Sequence, residues 1–198
     1  MKEQDNNSFT FSFSYMIYRL HENFSINKIL DLIKRVNLTN ESTTLQVLNP
    51  KYIISNRQLE IAIYQTITAF HSNENRARDK GTELLLRLSG YRQIKKALKI
   101  FGIEDKSEYI MFIGFGDSEE EINKNLIEIS EKMGTNVKDS ITQLPVSNAE
   151  ILKEYYNCND IAIIEKAAIE KIATLKFCLL YTSPSPRDLS TSRMPSSA

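Results

Sequence analysis

A layered α/β (α+β) domain is predicted, with a small mixed or antiparallel sheet of three or four strands covered by about six helices. Three observations predict it. Residues 109–115 are apolar throughout, as in a strand buried on both faces. Residues 9–13 alternate, with Phe9, Phe11 and Phe13 on one side. Between such runs lie stripes of helical period, of which Ile122, Leu126, Ile129 and Met133 are the clearest.

The elements follow in order. Residues 8–20 read as a strand, solvated on one face at first and then apolar throughout. Ile26, Ile29, Leu30, Ile33 and Val36 mark a short amphipathic helix. Residues 43–48 are β-branched and apolar, a strand ended by Asn49-Pro50, with Ile53-Ile54 as a short continuation. Ser55 with Gln58 fits a capping box. Leu59, Ala62, Ile63, Thr66 and Phe70 then share one helical face to about His71. Gly81 breaks the pattern. Leu84, Leu85, Leu86 and Leu88 form the next helix, stopped by Ser89-Gly90. Ile94, Ala97, Leu98 and Phe101 mark another, stopped by Gly102. After the apolar strand, Ser118 with Glu121 is a second capping box. Ser147 with Glu150 opens a short helix. The last begins near Asn159 and carries Ile161, Ile164, Ala168, Ile172 and Leu175.

The chain has 198 residues, enough for one domain with a single core. Residues 1–177 form that domain. Residues 178–198 are expected to be a disordered tail, since 179–198 hold three of the five prolines and six serines, and the segment resembles a translated adapter or vector sequence, with a genuine disordered tail as the alternative. Such a segment cannot bury enough apolar surface to offset its ordering entropy. Two cysteines, Cys158 and Cys178, exclude a disulfide framework and fit a reducing compartment. The longest uncharged stretch before the tail, 61–73, is 13 residues and partly polar, short of a membrane span. The opening MKEQDNNS is acidic and polar where a signal peptide would be basic and then apolar.

Catalytic signatures are missing, so no catalytic residue, cofactor, metal or small-molecule substrate is implied. His21 and His71 have no Cys or carboxylate at ligand spacing. Gly114-Phe115-Gly116 sits where a phosphate turn could lie, but it lacks a third glycine and a Lys-Ser/Thr pair. Acids at 117 and 119–121 follow it directly. A helix N-terminus with dipole-favourable acids is the better reading. No G-x-S-x-G occurs, and Cys158 reads as structural.

Charge placement is the exception. Lys plus Arg equals Asp plus Glu, at 25 each. Yet Arg76, Arg78, Lys80, Arg87, Arg92, Lys95, Lys96 and Lys99 face only Asp79 and Glu83, which makes this window about +6. Residues 117–136 are the reverse, with six acids against Lys124 and Lys132. Tyr91 beside Arg92 adds an aromatic to the cations, a combination suited to single-stranded nucleic acid. Two solvated amphipathic helix faces would show the same charge pattern.

The window also carries a resemblance. Ala77-Arg78, Gly81, Glu83, Leu85 and Leu88-Ser89-Gly90-Tyr91-Arg92-Gln93-Ile94, followed by Ala97 and Gly102, resembles the central signature of the PRPK-binding subunit family of the KEOPS/EKC complex, in its archaeal form. Ile54-Ser55 and the helix from Leu59 leading into Asn75-Arg76 are similar too. So is the last helix through Ile161, Glu165, Glu170, Ala173 and Leu175. Arg87 departs from the pattern, since an aromatic is common at its place, and no stacking role is carried over to it.

The resemblance implies a non-catalytic, cytoplasmic subunit (cytoplasm and nucleus in a eukaryote). It would bind the kinase-like ATPase of KEOPS and the 3′ CCA end of tRNA, in support of threonylcarbamoyladenosine modification. In that reading Arg76, Arg78, Lys80 and Arg92 contact phosphates, with Lys95 and Lys96 at the edge. Ser89, Gly90 and Gln93 approach bases through backbone and amide groups, beside Tyr91. Local roles compete: Gly81 and Gly90 as helix C-caps, Gln93 as a cap, and Glu83 as an ion-pair partner of Arg78 or Arg87. An exposed apolar patch is expected where the kinase-like subunit docks. The alternatives are a stand-alone RNA-binding domain without a kinase partner and a small enzyme of unrecognised type.

Overall fold

The centre of the computed structural model is strand β3, Tyr109–Gly116, buried continuously from Ile110 to Phe115. The structure describes residues 10–20, 25–40, 42–135, 140–141, 144 and 149–177. Phe9, His21, Ser147 and the Ser/Pro tail lie outside them. β1, Ser12–Arg19, and β2, Thr43–Leu48, flank β3 in the order β1-β3-β2. Both pairings are antiparallel, with Ile113 opposite Tyr15 on one side and Gln46 on the other. The sheet is therefore antiparallel, not mixed.

Side chains alternate across β3 and feed two cores. Met111, Ile113 and Phe115 enter one core with α2 (Asn56–His71), α3 (Lys80–Ser89), α4 (Ile94–Phe101) and α7 (Ile164–Phe177). Ile110 and Phe112 enter the other with α1 (Ile26–Thr39) and α5 (Glu119–Lys132). Helices on both faces are the reason β3 tolerates no polar side chain. α6, Ala149–Tyr156, packs with α7 at the edge of the larger core. Seven α-helices lie among the described residues, none long and apolar enough to cross a membrane.

Several expectations shift. Ile53 and Ile54 do not extend β2. Pro50 opens a 3-10 helix, Pro50–Tyr52, and the Ile54 N–H donates to Gln58 Oε1 at 2.8 Å, so it serves the start of α2. Ser55 does cap α2, with its hydroxyl accepting from the Gln58 N–H at 3.2 Å. The Gln58 side chain is fully buried instead of closing a box, and its Nε2 donates to Tyr156 Oη at 2.8 Å. Likewise Ser118 caps α5, while the Glu121 carboxylate accepts from the Ser42 hydroxyl. Phe70 is only half-buried, and Ala69 takes its place in the core.

Three stripes are only partly buried. Leu30 on α1 is exposed, as are Ile94 and Leu98 on α4, because these helices pack at the rim with one narrow face inward. Ile161 is exposed in a 3-10 helix, Ile161–Ile163, which Asp160 caps by accepting from the Ala162 N–H at 3.0 Å. α7 proper starts after it. α1 in turn runs past Val36, because the Asn37 side chain is needed at the sheet. Its amide donates to the Leu45 carbonyl and accepts from the Leu45 N–H, both at 2.8 Å, and so occupies the open edge of β2.

Gly114, Phe115 and Gly116 are the last residues of β3, each paired with β1, so they form no phosphate-binding turn. Glu119, Glu120 and Glu121 occupy the first turn of α5, where the helix dipole favours acids.

Phe101 joins α4 to the other elements: its ring meets Tyr52 at 6.1 Å and Tyr155 at 6.4 Å, edge to face. Phe101→Ala should cost about 3–5 kcal/mol. Urea denaturation would read this as a lower midpoint with an unchanged slope.

Candidate nucleic-acid interface

The basic window is built around α3, which is buried along most of its length. At its N-terminal end, the segment before the helix is tied to one carboxylate. Glu83 Oε2 accepts from the backbone N–H of Arg76 and of Ala77, each at 2.9 Å. Glu83 Oε1 accepts from Arg87 Nε at 2.8 Å and Nη2 at 2.6 Å. Glu83 is 0% exposed and Arg87 3%. Of the two ion-pair partners considered for Glu83, Arg87 is the one. Arg87 therefore faces inward and is withdrawn from the cationic surface. Asp79 caps α3 by accepting from the Thr82 N–H at 2.7 Å.

With the backbone pinned this way, Arg78 is exposed, and Arg76 and Lys80 are half-buried. None of the three makes an ion pair with a described residue, and Arg76 Nε is buried without a hydrogen-bond partner. Gly81 is not a C-cap. It lies in the first turn of α3, where a Cβ would fall 2.6 Å from Gln46 Oε1 on β2. Its role is close approach of helix and strand.

Gly90 ends α3 in the left-handed region, with φ of +65°, and its N–H donates to the Leu86 and Arg87 carbonyls. Ser89 is fully buried. Its hydroxyl donates to the Leu86 carbonyl at 2.9 Å and accepts from the Tyr91 N–H at 3.1 Å. Its carbonyl accepts from Tyr155 Oη on α6 at 3.2 Å. Ser89 thus shapes the turn from inside. Tyr91 is half-buried, and two ammonium groups approach its ring: Lys96 Nζ at 5.5 Å and Lys171 Nζ at 5.4 Å from the centroid. Gln93 is the N-cap residue of α4, but its side chain makes no capping bond and is exposed, as are Arg92, Lys95 and Lys96.

The predicted residues thus form two groups. Arg76, Arg78 and Lys80 stand at one end of α3; Ser89, Gly90, Tyr91, Arg92, Gln93, Lys95 and Lys96 stand at the other. Eight helical residues, 81–88, lie between Lys80 and Ser89, a rise of about 14 Å from one to the other. The acids of the window are both engaged, Asp79 as a cap and Glu83 in the interior. The acidic α5 lies in the opposite helix layer. The bipolar charge pattern of the sequence therefore becomes two separate faces.

Sequence reasoning missed Tyr155 and Lys171. Both come from the C-terminal helices, and Lys171 is marked in sequence only as a cation bordering the apolar stripe through Ala168 and Ile172. Burial pushes the Tyr155 phenol well above its ordinary value, and the neighbouring Tyr156, Tyr91 and Tyr52 add to the shift. Tyr156 is also pushed up by burial, although its hydrogen bond with Gln58 opposes this. Burial holds Lys171 below the usual lysine value.

No three His, Cys, Asp or Glu side chains among the described residues gather as metal ligands. The site is a set of exposed and half-buried cations and a fixed turn on a helix-covered sheet, the form of a small binding domain. Residues 23–176 match the family described as kinase binding protein CGI-121, and the chain belongs to that family. It is 26% identical over 131 residues to the regulatory protein Cgi121 of Methanocaldococcus jannaschii, covering 66% of this chain and 82% of that protein. It is 37% identical over 91 residues to the KEOPS complex subunit Cgi121 of Pyrococcus abyssi, covering 43% of this chain and 53% of that protein.

Two outcomes follow for stability. Glu83→Ala strands Arg87 in the interior and frees two backbone N–H groups, so unfolding experiments should show a loss of about 3–5 kcal/mol. Raising the pH above 10.0, the ordinary tyrosine value, should erode stability, because unfolded phenols ionise while folded Tyr155 and Tyr156 do not. The contribution is complete below that pH and declines by up to about 1.4 kcal/mol per pH unit for each tyrosine. Lys171 acts with the opposite sign in the same range, so the comparison is with Tyr155→Phe, whose stability should fall less steeply with pH.

Proposed function

We propose that this chain is a non-catalytic regulatory subunit of a KEOPS-type assembly. It binds the kinase-like ATPase of that assembly and the unpaired 3′ CCA end of tRNA, and so supports threonylcarbamoyladenosine modification in the cytoplasm. Membership of a kinase-binding family supports the first part, as do the names of the two relatives, one a regulatory protein and the other a KEOPS subunit. The observation that carries the RNA part is the pair of cationic groups at the two ends of α3, none of whose Arg76, Arg78, Lys80, Lys95 or Lys96 side chains is neutralised by a described acid.

A single-stranded end offers phosphates and unstacked bases, with no groove to read. Arg76, Arg78 and Lys80 meet the backbone at one end of α3, and Arg92, Lys95 and Lys96 at the other. The 89–91 turn presents main chain between them, with Gln93 supplying an amide. The Ser89 hydroxyl contributes by holding the turn, and Tyr91 by presenting a ring edge between two ammonium groups.

The test compares tRNA with and without its CCA end across a salt series. Removing CCA should weaken binding, and Arg76→Ala and Arg92→Ala should each lower the salt slope by about one. Equal affinity for the two tRNAs would overturn the RNA part. Affinity purification from the native host should recover a kinase-like ATPase. RNA binding without it would favour the stand-alone RNA-binding domain.

A further inference from the structure

A second cationic feature lies outside the basic window, on the C-terminal helix. Lys171 projects from α7 into a group of tyrosines. Its Nζ is 4.0 Å from the Tyr155 ring centroid, 5.4 Å from that of Tyr91 and 5.8 Å from that of Tyr156. It donates one hydrogen bond, to the Tyr155 carbonyl at 3.0 Å. No described carboxylate lies within ion-pairing distance of it. The adjacent Glu170 is turned to Lys166, at 3.9 Å. An ammonium has three donors. Ring faces attract the charge but accept little hydrogen bonding. The group is therefore partly desolvated, has no counter-ion among the described residues and retains donor capacity.

Its position links it to the candidate interface. A Cβ at Gly90 would fall 2.7 Å from both the Cγ and the carbonyl oxygen of Lys171, so the 89–91 turn rests directly on this residue. Lys96 from α4 approaches the same Tyr91 ring. On its other side Lys171 lines an open groove of about 560 Å³ with Tyr156, Cys158, Ile163, Ala167 and Thr174.

We propose that Lys171 is a further RNA-contacting residue: with Lys96 it forms a two-ammonium clamp about Tyr91 that takes a phosphate of the bound single strand. The assignment rests on the RNA reading given above and extends it to the C-terminal helix. A phosphate supplies the missing counter-ion. An RNA strand also fits better than an acidic protein segment, because the clamp adjoins the exposed cations Arg92 and Lys95, which closely follow Tyr91 in the chain.

The experiment uses the full chain, tRNA with and without CCA, and the variants Lys171→Met and Lys171→Arg. Lys171→Met should weaken binding of CCA-bearing tRNA about tenfold and lower its salt slope by about one. Binding of the truncated tRNA should not change. Lys171→Arg should restore the slope. A wild-type slope in Lys171→Met would overturn the proposal, and so would equal losses in both variants, which would mean packing alone. If wild-type protein does not distinguish the two tRNAs, the RNA reading fails and this assignment fails with it. A second measurement does not depend on the variants folding. Acylation of Lys171 by an amine-reactive ester in wild-type protein should be suppressed by CCA-bearing tRNA and not by truncated tRNA. Labelling that RNA leaves unchanged but an acidic partner protein suppresses would overturn the proposal in favour of a protein contact.

Discussion

The buried Glu83 carboxylate is the interaction on which the basic surface depends. It holds two backbone N–H groups ahead of α3 and the guanidinium one turn further along. An isolated buried carboxylate is strongly unfavourable, and so is an isolated buried guanidinium. Here each compensates the other, and the backbone donors complete the set. The consequence is geometric. The chain that carries Arg76 and Arg78 cannot drift from the helix, so exposed cations sit on a fixed main chain. Paired with Arg87 in the interior, Glu83 also does not offset them at the surface.

The sheet acts at longer range. Because β3 is covered on both faces, its helices fall into two layers, and the most acidic and the most basic segments go to different layers. α5 brings its glutamates to one side, and the α3–α4 segment brings its cations to the other. At physiological ionic strength charges on opposite faces are largely screened from one another. A chain with no net charge can thus present a cationic surface to a polyanion.

At the far end of α3, local and distant constraints meet. Gly90 is required by its left-handed backbone and again by contact with Lys171. The Tyr155 hydroxyl fixes the Ser89 carbonyl from a third direction. The turn is therefore a joint product of α3, α6 and α7. Aromatic rings around the Lys171 ammonium hold it without neutralising it, which leaves a charge ready for an incoming anion.

Much of this was legible in the chain itself. The bounds of β2 and the central place of β3 followed from residue type and period. So did the caps at Ser55 and Ser118, the stop at Gly90 and the charge asymmetry. These are local properties, set by side-chain size, backbone preference and charge within a few residues. Tertiary structure decided what depends on distant partners. Apolar period alone does not tell how wide a face gets covered, so Leu30, Ile94, Leu98 and Ile161 read as core and lie exposed. Gly81 read as a break and is a contact with Gln46. Glu83 had two candidate partners, and only packing selected Arg87. The division of the site into two ends of α3, and the recruitment of Tyr155 and Lys171, rest on contacts between residues far apart in the chain. Such contacts are set by how whole layers pack, which no local pattern encodes.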